Sequence, residues 1–421
     1  MRDWSLFPVE APGCLGHMTE TVPSSPPRSV EDGPDRPAWR GWAAVAAVAA
    51  ATFTVVTSEM LPVGLLTSLS PELGVSEGVA GLTLTVTGLV AAVAAPLVTP
   101  AVGRLDRRAA LCGLMLVLAI GNLMSAWAPH FGVMMAGRTL VGVGMGGVWA
   151  LAASLAPRLV PPPAVGGATS LIFSGVAVAS VLGVPAGTYL GEAAGWRMAL
   201  ASAGLLALLV ALALFLLLPR LPVARAVRLG GMARLARERA VRTGLVVVAL
   251  LVTGHFAAYT YVRPVLEKIS GAAPALISAL LLAYGVAGIA GNFVSAAGAA
   301  RSPRATLMAI SAVLGAVAVL FPEIGTSVLV GTALLVLWGL AYGGVSVSTQ
   351  TWLVASAPHA REAASGLFVG VFNASIALGS AIGGRVVDAL GVAEVLWVGG
   401  GLALAALVAV TLGPSPAGGR E

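Results

Sequence analysis

The chain has 421 residues, of which 58% are hydrophobic and only 10% charged, far below the roughly 25% charged residues of a soluble domain. With a mean hydropathy of +0.94 it reads as a polytopic membrane protein, which excludes a soluble globular enzyme. The net charge of +6 comes from 24 basic residues, all Arg except Lys268. They sit in short clusters between apolar runs, as topology signals do, and not on a nucleic-acid face, so no nucleic-acid partner is expected.

Residues 1–38 are rich in Pro, Ser and acids (Pro23, Pro26, Pro27, Glu31, Asp32, Asp35) and read as a disordered cytoplasmic tail, with Met18 as an alternative start. The apolar run that follows reaches about Leu66, too long for the h-region of a signal peptide, and is taken as a first membrane helix. About 20 apolar residues are needed to cross a bilayer. On that rule spans are expected near 41–66, 78–100, 109–128, 131–155, 167–190 and 198–218, then near 244–266, 274–297, 305–322, 327–350, 364–386 and 392–413. The expected fold class is therefore all-α, with two six-helix bundles over 39–218 and 244–413. A linker over 219–243, carrying seven Arg against Glu238, is read as lying on anionic lipid, and 414–421 as a second tail.

Arginine asymmetry sets the orientation. Loops on one side carry Arg104, Arg107, Arg108, Arg158, the linker, Arg301, Arg304 and Arg361, whereas the other side carries mainly acids, among them Glu72, Glu77, Glu192, Glu267, Glu323, Asp388 and Glu394. Positive-inside places both termini in the cytoplasm of a multi-pass cell-membrane protein. The two sets also look like copies. A shift of about 196 residues lays Gly183 on Gly379, Gly187 on Gly383, Gly195 on Gly391, Arg108 on Arg304 and Glu59 on His255. Parallel repeats with a midplane site between the halves are an architecture of secondary transporters.

Glu59 is the costly residue, because an ionisable group inside an apolar run costs a few kcal/mol and is a functional-site candidate by default. It lies roughly seven to ten residues before the outer end of the first span, and Arg138 roughly seven residues after the outer start of the fourth. Their depths match. Glu59 is expected to exchange a proton while Arg138 or substrate competes for the carboxylate. His255 is the second candidate proton carrier, since imidazole titrates near neutral pH. Tyr259 lies one turn along the same face. Arg263 is expected to snorkel or pair with Glu267.

Five stretches resemble the major facilitator superfamily, specifically its twelve-span drug and sugar efflux branch, and the likeness covers about 40–413. Gly103-Arg104-Leu105-Asp106-Arg107-Arg108 resembles the loop signature after the second helix, in contracted form and with Ala109-Ala110 for the usual ending. Arg138 with Gly142, Gly144, Gly146 and Gly147 resembles the fourth-helix motif. Gly175 to Gly183-Val184-Pro185-Ala186-Gly187 resembles the antiporter motif of the fifth helix, with Val184 inserted. Ser58 to Leu66 and Gly254 to Pro264 resemble the first and seventh helices of that branch. The resemblance implies a proton-coupled exporter working by alternating access, a small-molecule substrate, a monomer, and the proton gradient in place of any cofactor.

Two gating elements follow. Gly103, Arg104, Asp106, Arg107 and Arg108 are expected to latch the halves on the cytoplasmic face; Gly183, Pro185 and Gly187 are expected to give a close-packed, bendable fifth helix. A central cavity is expected among Phe53, Trp149, Phe173, Tyr259, Trp338, Tyr342, Phe372 and Asn373. Its aromatics suit amphiphilic drugs or antibiotics; Thr57, Ser58, Asn292, Gln350 and Asn373 suit sugars, and both stay open. Import also stays open. No His/Asp ligand set, paired carboxylates or Ser-His arrangement supports an enzyme or a metal site, no phosphate-binding loop supports ATP-driven pumping, and no sizeable soluble domain supports a receptor.

Overall fold

The structure is a computed structural model that describes residues 38–101, 105–152, 155–221, 232–358 and 360–414. Among these, twelve helices are long and apolar enough to cross a membrane: Trp39–Gly64, Glu77–Ala95, Arg107–Ala126, Phe131–Ala152, Pro162–Ala194, Trp196–Leu217, Arg239–Tyr259, Pro274–Arg301, Pro303–Ile324, Val328–Ser356, Ala364–Ala389 and Val392–Leu412. They are called spans 1 to 12 in that order. The tail before Ala38 and residues 222–231 of the Arg-rich linker lie outside the described residues.

The packing repeats itself. Span 1 lies against spans 5 and 6, span 2 against span 4, and span 3 against spans 4 and 6; span 7 lies against spans 11 and 12, span 8 against span 10, and span 9 against spans 10 and 12. The local breaks repeat as well. Span 1 ends in the 3-10 turn Leu61–Gly64 and continues as the short helix Leu66–Glu72, while span 7 ends at Tyr259 and continues as Val262–Lys268. Gly74 and Gly271, which follow these short helices, share a positive φ, and so do Gly195 and Gly391 before spans 6 and 12. Only Gly adopts that backbone without strain. These pairs fall at the spacing that the sequence suggests, and they are independent of the apolar pattern.

Two seams join the first six spans to the last six: span 2 against span 11, and span 5 against span 8. On the side away from the termini the first seam is dense with polar ties. Asp388 accepts from the Ser76 hydroxyl at 2.7 Å and the Gly78 N–H at 3.0 Å, Ser380 donates to the Gly81 carbonyl at 2.8 Å, and Lys268 meets Glu77 at 2.8 Å. The Tyr261 hydroxyl donates to the carbonyls of Ser380 at 3.1 Å and Gly78 at 3.3 Å. One apolar cluster runs through both sets here, including Leu61, Leu65, Leu69 and Leu84 with Tyr261, Val262 and Leu266. A second, built from residues between Ala44 and Leu221, belongs to the first six spans alone. The face opposite the termini is sealed.

Gly384 makes that seal possible, because a Cβ there would sit 2.6 Å from the Gly78 carbonyl oxygen and 2.7 Å from the Tyr261 hydroxyl. Gly384→Val is expected to part spans 2 and 11. With Cys14 and Cys112 replaced by Ser and a single cysteine at the buried Ser380, labelling by a membrane-impermeant maleimide should accelerate. An unchanged rate would show that the seam tolerates the side chain.

Candidate functional site

Span 1 is interrupted by Pro62, which has no N–H for the carbonyl one turn earlier, that of Ser58. Arg138 of span 4 supplies the missing donor. Its guanidinium, fully buried at 0% exposure, donates to the carbonyls of Ser58 at 2.9 Å, Glu59 at 3.1 Å and, on span 2, Thr83 at 3.3 Å. Asn122 of span 3 braces the same turn by donating to the Ser58 hydroxyl at 3.0 Å.

Glu59 and Arg138 are neighbours at the same depth, but Arg138 holds the peptide backbone and makes no hydrogen bond to the carboxylate. The physical reason is Pro62, which leaves the buried Ser58 carbonyl in need of a donor. The side chain of Glu59 is 4% exposed, its Oε1 is buried without a hydrogen-bond partner, and Arg138 remains within electrostatic reach.

Facing Glu59 from the last six spans is a layer of aromatic rings. His255 lies parallel to Tyr342, with centroids 3.3 Å apart and planes 9° apart, and parallel to Tyr259 at 4.9 Å and 20°. Tyr284 continues the layer against Tyr259 at 4.8 Å and 27°. Trp338 and Phe256 stand edge-on to His255. The Tyr342 hydroxyl is a second buried atom without a hydrogen-bond partner, and the charge of Glu59 reaches it across the junction.

The Trp338 indole donates to His255 Nδ1 at 3.0 Å. An indole N–H can only donate, so Nδ1 carries no hydrogen and the ring is the neutral Nε2–H tautomer, facing the Tyr284 oxygen at 3.5 Å. A second proton would have to enter at Nδ1 and displace Trp338. In this arrangement Glu59 is the freer proton acceptor of the two.

The expected cavity residues fall into separate groups. Tyr259, Trp338 and Tyr342 join the His255 layer, as do Phe256 and Tyr284, which the sequence reading does not single out; nothing marks those two among the apolar residues of spans 7 and 8. Trp149 and Phe173 pair with each other at 6.1 Å, and Phe173 is 40% exposed. Trp149 lies eleven residues from Arg138, about 16 Å along span 4. Phe372 packs on Phe368 at 5.4 Å, and Asn373 spends a donor on its own helix, at the Val369 carbonyl. Phe53 is half-buried on span 1, its backbone against Gly175.

The described gating residues Asp106, Arg107, Arg108, Gly183 and Gly187 make their contacts within the first half of the chain. Gly103 and Arg104 lie outside the described residues. Asp106 caps span 3 by accepting from the Arg108 N–H at 3.2 Å and takes the Leu221 N–H at 2.7 Å, while Arg108 lies over the Phe215 ring. Arg107 is buried and bonds through its own N–H to the Leu221 carbonyl. These contacts tie the loop to the end of span 6, within the first six spans, because a carboxylate committed to a helix cap and a backbone N–H has little left for the other half. On span 5, Gly183 faces Thr57 and Gly187 faces Leu61, so the stripe serves the contact with span 1. Pro185 follows a π turn at Ala179–Gly183. It is this turn, through Ser180 and Val181, that meets Gly285 across the seam with span 8.

A cross-half ion pair is a further feature that the sequence does not announce. Arg263, 3% exposed, pairs with Glu192 at the end of span 5 and with Glu267 at 2.9 Å, and also donates to the Gly64 carbonyl. Snorkelling is thereby excluded for this side chain, and the Glu267 pair is only one of its three ties.

Comparison with known proteins places this geometry. A family model described as Major Facilitator Superfamily matches residues 48–373, and matches again over 245–421. A protein of Escherichia coli (strain K12), named purine ribonucleoside efflux pump NepI, is 33% identical over 370 residues, covering 88% of this chain and 93% of its own length. The protein of the same name from Shigella dysenteriae serotype 1 (strain Sd197) is also 33% identical, with 88% and 94% covered. Among solved structures, a bacterial homologue of the human lysosomal transporter Spinster, inward-facing and occupied, superposes with TM-score 0.72 at 15% identity over 90% of this chain and 97% of its own. A mutant form of the nucleoside transporter NupG superposes with TM-score 0.70 at 14% identity, over 87% and 98%.

Proposed function

Because the chain belongs to the Major Facilitator Superfamily, we propose that it is a secondary transporter that exports purine ribonucleosides or close analogues in exchange for protons carried on Glu59. One observation carries this reading: a buried carboxylate of span 1 keeps an oxygen unpartnered opposite an aromatic layer that belongs to the last six spans. Flat heteroaromatic rings stack on such faces, at about 1–3 kcal/mol per base. The relatives named purine ribonucleoside efflux pumps support a nucleoside in place of the drug or sugar that the motifs alone suggest.

The mechanism follows from the chemistry of one site shared by two ligands. An ionised Glu59 offers two acceptor oxygens to the hydrogen-bond donors of a substrate; a protonated Glu59 turns one of them into a donor and can no longer take a pair of donors. Proton and substrate thus compete, which is the requirement of antiport. Alternating access exposes the site to either face in turn. The two six-span bundles would rock about the span 2–11 and 5–8 seams, with the sealed face outside, both termini cytoplasmic and one chain as the transport unit.

The test uses the full chain in proteoliposomes with an imposed proton gradient. The wild type is expected to drive labelled guanosine or inosine uphill and to move protons in the opposite direction. Glu59→Gln is expected to retain exchange of labelled for unlabelled nucleoside and to lose gradient-driven accumulation. Gradient-driven accumulation by the variant at the wild-type rate would overturn coupling at Glu59. No movement of any nucleoside by the wild type would overturn the substrate class.

A further inference from the structure

We propose that Glu59 is also the base-reading residue: its carboxylate takes the paired N–H donors on the edge of a 6-oxo-2-aminopurine whose ring stacks on Tyr342, so the site ranks guanosine above inosine and inosine above adenosine. This rests on the nucleoside reading above and adds a selectivity that the relatives' names do not contain.

Three features of the site point there. Tyr342 caps the aromatic layer and is half-buried, while His255, Tyr259 and Tyr284 behind it are buried, so its outer face is where a further ring can add. Its 3.3 Å spacing to His255 is close to the ~3.4 Å rise between stacked bases. Glu59 Oε1 and the Tyr342 hydroxyl are both buried without a hydrogen-bond partner, and the two groups lie within electrostatic reach of each other. Arg138, the nearby cation, has its donors on the carbonyls of Ser58, Glu59 and Thr83, which leaves the carboxylate free for a ligand.

The ranking follows from donor and acceptor patterns. A carboxylate only accepts. Guanine presents N1–H and the 2-amino group side by side, one donor for each oxygen. Hypoxanthine presents N1–H alone. Adenine sets its 6-amino donor beside the bare N1, which turns a lone pair toward the second oxygen. A glutamine at the same place carries one acceptor and one donor, which complement the adenine edge (6-amino and N1) and equally the O6 and N1–H of guanine or hypoxanthine, so it no longer favours guanine. One bidentate pair is worth about 5- to 150-fold in discrimination.

The experiment is equilibrium binding of radiolabelled guanosine, inosine and adenosine to the full chain in nanodiscs, for the wild type, Glu59→Gln, Glu59→Asp and Tyr342→Ala. The wild type should bind guanosine at least about fivefold more tightly than adenosine, with inosine between. Glu59→Gln should erase that preference, whereas Glu59→Asp, which keeps two acceptor oxygens, should preserve it. Tyr342→Ala should weaken all three by similar factors and leave the order unchanged. Equal affinities in the wild type, the same order in Glu59→Gln, or a lost order in Glu59→Asp would overturn base reading by Glu59 and leave nucleoside export standing. Absence of wild-type binding to every purine nucleoside would remove both readings.

Discussion

Replacing Arg138 by methionine is expected to cost several kcal/mol and to abolish transport. The methionine fills part of the space but donates nothing. The Ser58 carbonyl, which Pro62 already deprives of its helical partner, would be left bare, and the Glu59 carbonyl would lose the guanidinium as well, whereas the Thr83 carbonyl keeps the Thr87 hydroxyl at 2.7 Å. Each unsatisfied buried acceptor costs about 1–3 kcal/mol. Glu59 would also lose its nearby cation, and stranding one charge of a buried pair costs about 3–5 kcal/mol. These costs share one guanidinium and will not add fully. Arg138→Lys should recover only part of the loss, since a point-like ammonium cannot serve three carbonyls on two spans. Pro62→Ala provides the sharper control: it restores an N–H to the Ser58 carbonyl, so Pro62→Ala with Arg138→Met should be more stable than Arg138→Met alone. Thermal unfolding of detergent-purified protein, followed by fluorescence-detected size exclusion, measures the cycle. Strict additivity of the two substitutions would show that Arg138 does not substitute for the missing backbone donor.

That arrangement shows what a sequence can and cannot disclose about such a site. The matched depth of Glu59 and Arg138 follows from helix rise and span boundaries alone, because in a membrane an element's length is tied to bilayer thickness. The atom that Arg138 grips does not follow. Opposite charges at equal depth suggest an ion pair, yet Pro62 creates a local demand for a donor, and that demand appears only when the end of span 1 is seen to tighten into a 3-10 turn. His255 shows a similar limit: its corresponding position to Glu59 follows from the repeat, whereas its tautomer depends on a Trp338 that is 83 residues away in the chain.

The spans and the repeat are legible because apolar length and arginine placement report the bilayer directly. Long aromatic residues are not sorted by the same signals. Trp149 and Phe173, 24 positions apart in sequence, form their own pair, and Phe372 packs within span 11, since ring chemistry looks the same whether it faces lipid, a neighbour or a site. The contacts of the loop at Asp106 are hard to read from sequence for a related reason. A run of charges names potential ion-pair partners, but a carboxylate at the start of a helix is drawn first to backbone N–H groups, here those of Arg108 and Leu221.

Loss of Arg263 is expected to unseal the face opposite the termini and reduce transport by more than about tenfold, in line with the roughly 3–5 kcal/mol cost of breaking a buried pair. One guanidinium there holds two carboxylates and a carbonyl drawn from different parts of the fold: Glu192 ends span 5, Gly64 ends span 1, and Glu267 sits one turn along on its own helix. Glu192 and Gly64 belong to the first six spans and Arg263 to the last six, so two of its three ties cross between the sets. Glu267 lies on the same side as Arg263 and reaches over only through the Thr67 hydroxyl at 3.4 Å. The substitutions should therefore rank Arg263→Met above Glu192→Gln and Glu192→Gln above Glu267→Gln in their effect on the seal. With the cysteine reporter at Ser380, impermeant-maleimide labelling should rise most for Arg263→Met and least for Glu267→Gln, while the Lys268–Glu77 and Asp388 ties keep the weaker variants partly closed. A buried pair that serves only to fix packing would give a different pattern: all three variants would lose thermal stability without ranking in accessibility. If Glu267→Gln opened the seam as far as Glu192→Gln, the cross-half tie would not be what holds it shut.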